Sequence, residues 1–155
     1  MNSDFAVAVH AVVYLAHRGC AQSSETLAEN ICTNRVRVRK VMAPLVRSGI
    51  VSAREGAEGG YELAADPDAL TLLDVADALG TRFVSSTWHS GDVDCECVIS
   101  SGMGPLLDAI YDDLDACCRE RLSHMTVGAL EREFSHAQEQ GRHIDTAAAE
   151  KIIVR

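Results

Sequence analysis

The chain has 155 residues, a length suited to one domain or to a small domain with an appended helical arm. Hydrophobic residues make up 47% of it and aromatics only 5%, so a core can form and aliphatic side chains must fill it. A formal net charge of −9 argues against a generic nucleic-acid binder, and the longest apolar stretch, Phe5 to Ala16, is too short to cross a membrane.

Asp4 can cap a first helix that is apolar nearly all round from Phe5 to Leu15, which predicts a buried helix. Arg18, Gly19 and Cys20 mark its end. Ser23 or Ser24 can cap a second helix, with Glu25 in its first turn and Leu27, Ala28 and Ile31 facing inward. Cys32, Thr33 and Asn34 form a short turn. A third helix is predicted from about Arg35 to Ser48, with Gly49 as its C-cap.

The third helix carries the charge. Residues 31–54 hold Arg35, Arg37, Arg39, Lys40, Arg47 and Arg54 and no acid, whereas residues 65–155 hold seven basic residues against seventeen acidic ones. A basic patch on an acidic chain is either a solvated helix face or an electrostatic footprint for a polyanion. Val38, Val41, Met42 and Leu45 share one face at helical spacing. Val36, Arg39, Lys40, Ala43 and Arg47 share the other, with Arg37 at the edge. Two short helices joined by a three-residue turn, the second cationic outside, give the geometry of a helix-turn-helix. Pro44 removes a backbone donor within the helix, which predicts a kink or an early loosening there.

Next come Ile50 to Arg54, a glycine-rich stretch, and Tyr61 to Leu63. Val51 and Ala53 alternate with polar neighbours, as do Tyr61 and Leu63, so the segment reads as a β-hairpin with Gly56, Gly59 and Gly60 at its tip. A phosphate-binding loop would lead from a strand into a helix and carry a Lys and Ser/Thr pair. This one leads into a second strand, which makes it a wing. Its glycines let the backbone approach a minor groove, and Arg54 can reach a phosphate or the groove.

The stretches DFAVAVHAVVYLA, SSETLAENICTNRVRVRKVMAPLVRSGIVSAREGAEGGYELA and DPDALTLLDVADAL together resemble the Rrf-two family of bacterial winged helix-turn-helix regulators, over roughly residues 3–80. The resemblance implies a mostly α fold with a small β-hairpin wing and a long dimerisation helix. It implies a homodimeric transcription regulator, in most members a repressor, acting on a double-stranded DNA operator. Val36, Arg39 and Lys40 sit where such recognition helices meet base edges. Phosphate contacts fall to Arg35, Arg37, Arg47 and Arg54, and Ser24, Asn34, Gly56, Gly59 and Gly60 complete the candidate DNA-binding set. Two departures stand out. Many members have an arginine directly before the first wing glycine, where this chain has Glu55. Many have a glycine in the turn between the two helices, where this chain has Cys32.

Further along, Thr71 can cap a helix from Leu72 to Leu79 that ends at Gly80. Residues 81–101 read as a polar loop containing Trp88, His89, Asp92, Asp94, Cys95 and Cys97. Leu106, Leu107, Ile110, Tyr111, Leu114, Cys117, Cys118 and Met125 make an apolar stripe on a helix predicted from about Met103 to His124, a stripe that needs a partner. Thr126 can begin a last helix, Val127 to Gln140, and residues 141–155 read as a tail that packs back or frays. The expected organisation is a DNA-binding domain over 1–80, an effector or sensor loop over 81–101, dimerisation helices over 102–140 and the tail.

Six cysteines in a chain with no basic leader and cleavage site predict a cytoplasmic protein with its thiols mostly reduced. Cluster-bearing relatives place three cysteines in the loop; here only Cys95 and Cys97 occur, as Cys-Glu-Cys. In an extended stretch both sulfurs could face one site. An iron–sulfur cluster needs about four ligands, so His89, Asp92 or a partner subunit would have to complete it. The alternative is a cluster-free thiol sensor at Cys95 and Cys97, although the surrounding Asp92, Asp94 and Glu96 should raise the thiol pKa values. Cys32 is a further sensor candidate because oxidation there would disturb the recognition helix. Cys117 and Cys118 read as packing residues, His10 as a hydrogen-bonded core residue, and His17, His124, His136 and His143 as surface positions. Besides a regulator, a winged-helix protein adaptor fits the acidic C-terminal half. An enzyme does not, because there is no nucleophile–base pair, CxxC or zinc-type spacing.

Overall fold

The computed structural model describes residues 3–56 and 59–154, and the side chains of all of these except residues 151, 152 and 154. The wing-tip residues Ala57 and Glu58 and the apolar side chains of Ile152 and Val154 therefore lie outside the described residues. The elements in chain order are α1 (Ser3–Arg18), α2 (Ser24–Ile31), α3 (Arg35–Arg47), β1 (Val51–Arg54), β2 (Gly60–Leu63), α4 (Leu72–Ala78), α5 (Val98–Ser123), α6 (Val127–Glu139) and α7 (Thr146–Val154).

The first three helices pack around α1, whose Ala8, Ala11, Val12 and Leu15 are buried, as the all-round apolar pattern requires. They meet Leu27 of α2 and Val38, Val41, Met42 and Leu45 of α3, all fully buried. Burying each of these larger side chains contributes roughly 1.5–3 kcal/mol. Asp4 lies inside the first turn of α1 and does not cap it. Helix α2 begins where the Ser23 hydroxyl accepts from the Thr26 amide, and α3 where the Asn34 side chain accepts from the Arg37 amide. Helix α3 continues through Pro44 to Arg47, and the Ser48 amide donates to the Pro44 carbonyl at 3.0 Å.

The wing is an antiparallel pair in which Val51 faces Leu63 and Arg54 faces Gly60. Its other side is also occupied. Gln22 and Tyr61 exchange backbone hydrogen bonds of 2.8 Å each way, so the linker before α2 acts as a short third strand. This pairing explains Gly60. A Cβ there would lie 2.7 Å from the Gln22 carbonyl carbon and closer still to its oxygen.

Helix α4 opens on a full capping box, Thr71 with Asp74. Beyond it, α6 packs along α1, with Val127 in the core and Glu131 accepting from His17 Nδ1 at 3.0 Å. His10, expected in the core, is exposed and bonds Asn30 across α1 and α2 at 2.9 Å. Helix α5 begins at Val98, five residues before the expected Met103, because the loop folds back onto it: the Asp92 amide donates to the Ser100 carbonyl. Residues 146–154, read from sequence as a tail, form α7.

Candidate nucleic-acid interface

The outer face of α3 is built as its spacing predicts. Val36, Arg39, Lys40, Ala43 and Arg47 are exposed, and Val36, an apolar side chain on an otherwise cationic face, is 72% exposed. Arg35, Arg39 and Arg47 make no ion pair among the described residues. Arg39 Nε donates to Ser24 Oγ at 3.3 Å, so Ser24 at the start of α2 orients it. The wing lies beside this face, with Arg54 exposed on β1 and Gly56 in the left-handed region at φ +115°.

Two cations differ from expectation. Arg37 turns inward, and its Nε and Nη2 both donate to Asp4 Oδ1, at 3.3 and 3.1 Å. Lys40 Nζ donates to the other Asp4 oxygen at 3.3 Å while staying exposed. Burial pushes the Asp4 carboxyl up, but the bonds and charges of Lys40 and Arg37 outweigh it and hold the group below its ordinary value. Nothing in residues 31–54 announces this, because the acid is supplied by a helix some thirty residues earlier. Arg54 is likewise engaged, 3.4 Å from Glu62 on the paired strand.

Cys32 ends α2 at φ 57°, ψ 48°, the one non-glycine with positive φ among the described residues. Its thiol is exposed at the foot of α3. The loop cysteines do not sit in an extended stretch. Cys95 closes a turn onto the Asp92 carbonyl, and Cys97 is the N-cap residue of α5. Both are exposed. The Cys97 sulfur makes no cap bond of ordinary geometry, yet the free amides of Ser100 and then Ile99 draw its thiol pKa below the usual value. The helix terminus thus overrides the acidic neighbours for this thiol. His89 is engaged by Asp108 of α5 at 3.3 Å. Among the described residues no three His, Cys, Asp or Glu side chains converge on a point that could hold a metal ion. The donor set of one chain therefore does not fit a cluster.

The apolar stripe of α5 is largely uncovered. Leu106, Ile110 and Leu114 are 56%, 44% and 46% exposed, and Cys117, expected to be packed, is exposed too. A cleft of about 950 Å³ lies between α6 and α7, lined by Arg132, His136, Arg142 and His143 among others, away from α3 and the wing. No described helix is long and apolar enough to cross a membrane.

A cation-faced second helix, a three-residue turn and a hairpin wing define a winged helix-turn-helix, and the family pattern for Rrf2, described as iron-dependent transcriptional regulators, matches residues 1–133. The chain belongs to the Rrf2 family. This Rrf2 chain is 27% identical over 127 residues to YwnA of Bacillus subtilis, named as a helix-turn-helix-type transcriptional regulator, covering 82% of this chain and 93% of that protein. It superposes on a transcriptional regulator of Lactobacillus plantarum with a TM-score of 0.74 and 26% identity, over 88% of this chain and 92% of that one. It shares its fold with CymR of B. subtilis, named the global cysteine regulator, at a TM-score of 0.60 and 21% identity, over 85% and 95% of the two chains. IscR of T. potens has the same fold at a TM-score of 0.65 and 20% identity, over 89% and 90%. The Rrf2 relatives are transcriptional regulators and not enzymes.

Proposed function

We propose that this Rrf2 regulator is a homodimeric repressor that binds a double-stranded DNA operator with α3 and the wing. One observation carries the reading: α3 presents Arg35, Val36, Arg39, Lys40 and Arg47 to solvent, and three of these cations have no ion-pair partner among the described residues. A helix of this width enters a major groove. Arg39 offers a fork for a guanine edge, Val36 an apolar contact for a thymine methyl, and Lys40 a third base-edge contact. Arg35, Arg47 and Arg54, with Asn34, Gly56, Gly59 and Gly60 beside them, hold phosphates and set the register. Arg37 joins them only if Asp4 releases it.

The organisation that supports this is a DNA-reading unit over 1–80, a responsive loop over 81–101, dimerisation through 102–140 and a C-terminal segment over 141–155. The uncovered stripe Leu106, Ile110 and Leu114 offers the apolar face that a second copy would cover in an isologous contact. The signal we assign is oxidation of the loop thiols. Cys97 is exposed, the Ser100 and Ile99 amides hold its thiol pKa below the usual value, and Cys95 is two residues away. The reduced, cytoplasmic environment that this requires is part of the proposal.

The test is fluorescence anisotropy with an operator fragment, comparing reduced protein, peroxide-treated protein and the Cys95→Ser/Cys97→Ser variant. Oxidation should weaken binding of the wild type and leave the variant unchanged. Equal oxidative loss in both would move the sensor to Cys32 or elsewhere. Arg39→Ala should weaken binding to the operator more than to random DNA, and Arg47→Ala should weaken both alike. Equal losses at both DNAs for Arg39→Ala would refute its role as a base reader.

A further inference from the structure

The loop and the recognition helix are joined by one short run of contacts. Asp115, buried on α5, accepts the Phe83 and Val84 amides at 2.7 and 3.0 Å, which fixes the start of the loop. Fixed in this way, the Phe83 ring meets the Phe5 ring edge to face, with centroids 5.0 Å apart and planes at 86°. Phe5 belongs to the first turn of α1, next to Asp4. Asp4 in turn holds Arg37 and Lys40 of α3. The last contact is the consequential one. A carboxylate placed between two cations of a DNA-facing helix neutralises charge that would otherwise displace counterions from phosphates.

We propose that Asp4 limits how many phosphates the recognition helix can neutralise, and that docking of Phe83 on Phe5 keeps Asp4 in that position. Resting on the DNA-binding reading above, this makes Asp4 a specificity-determining residue: it withholds the sequence-independent affinity of Arg37 and Lys40, the latter also a base-edge candidate, and leaves the other two base-edge candidates, Arg39 and Val36, untouched. It also gives the loop a physical route to α3. Undocking the loop removes the aromatic support of the first turn of α1, loosens Asp4 and frees Arg37 and Lys40 for phosphate. The aromatic contact suits this role because an edge-to-face pair fixes both distance and orientation.

The experiment measures binding of the full chain to random-sequence duplex DNA by anisotropy, as a function of salt, for wild type, Asp4→Ala, Phe83→Ala and the double variant. Each freed phosphate contact steepens the slope of log K against log salt by about 0.9, so Asp4→Ala should steepen it by up to about 1.8. The affinity advantage of that variant should then shrink by roughly 12-fold between about 50 and 200 mM salt, from the same slope. Phe83→Ala should shift binding in the same direction by less. The double variant should match Asp4→Ala alone, because the two residues act in series. Weaker binding or an unchanged slope in Asp4→Ala would overturn the proposal, and so would independent, multiplicative effects of the two changes. If Phe83→Ala lowers the melting temperature enough to unfold the chain, Phe83→Leu takes its place with the same expected order. A wild type that binds no DNA at any salt overturns the DNA-binding reading itself, whereas a wild type that binds and variants that do not respond overturn only this inference.

Discussion

The turn of the helix-turn-helix carries backbone strain that one substitution should relieve. At the ends of α3, α4 and α6 the chain turns through Gly49, Gly80 and Gly141, at φ +77°, +63° and +62°, and the next residue donates back into the last helical turn: Ile50 to Leu45, Thr81 to Ala76, Arg142 to Ala137. The end of α2 has the same pattern, with the Thr33 amide donating to the Ala28 carbonyl at 2.9 Å, but Cys32 occupies the left-handed position. A side chain there costs about 1–2 kcal/mol. Glycine removes that cost and gives up roughly 0.5–1 kcal/mol through the freer unfolded chain. The 3.7 Å contact from Cys32 Sγ to the Glu29 carbonyl is too weak to change the balance. Cys32→Gly should therefore stabilise the protein by about 0.5–1 kcal/mol, a rise in melting temperature of roughly 1–4 °C for a chain of this size. Thermal melts followed by circular dichroism under reducing conditions read it directly. A Cys32→Gly melting temperature below that of the wild type would refute the strain argument and point to a contact of the thiol that outweighs it.

Gly60→Ala should destabilise by about 2–3 kcal/mol, since its Cβ meets the Gln22 backbone and must push the third strand off the wing; denaturant titration measures it, and a loss under 0.5 kcal/mol would contradict the packing. Ile110→Asp should convert the proposed homodimer to monomer, raising its dissociation constant by about 100-fold or more because a charge replaces an aliphatic side chain in the proposed seam; sedimentation equilibrium decides, with an unchanged dimer as the contrary result. Stability should fall as pH drops below about 4. The Val84 amide first, then that of Phe83, holds the Asp115 carboxyl below its ordinary value of 3.8, so its contribution is complete above that value and lost as it protonates. Glu131, held below 4.5 by Ser135 and then His17, acts in the same direction. Asp115→Asn should flatten part of that acid limb, and an identical limb in the variant would remove Asp115 from the account.

Local signals fixed most of the N-terminal half. Ser23, Thr71 and Thr126 cap the helices they were expected to cap, and the inward stripe of α3 is buried residue by residue. Those features depend on neighbours within a few positions, which a sequence displays. Most of the departures involve partners far apart in the chain. Asp4 reads as an N-cap from its neighbours, but its side chain goes to α3. His10 lies on an apolar helix, yet it points outward to Asn30. Gly60 looks like a tip glycine and is instead a strand residue pressed against Gln22. Helix α5 starts earlier than the sequence suggests because Asp92, Asp94 and Glu96 resemble loop residues, whereas the Asp92 amide folds the loop back onto Ser100. The lowered thiol pKa of Cys97 follows from that early start, which sets the residue against the free amides of Ser100 and Ile99.

The central claim is sequence-specific DNA recognition by a dimer, and the most direct measurement is selection of bound duplexes from a random pool by the reduced protein, followed by sequencing. The account predicts enrichment of an inverted repeat whose half-sites lie one helical turn, or a multiple of it, apart, and predicts that Arg39→Ala relaxes the preference at one position in each half-site. Recovery of an unenriched pool, or of a site that Arg39→Ala selects unchanged, would contradict it.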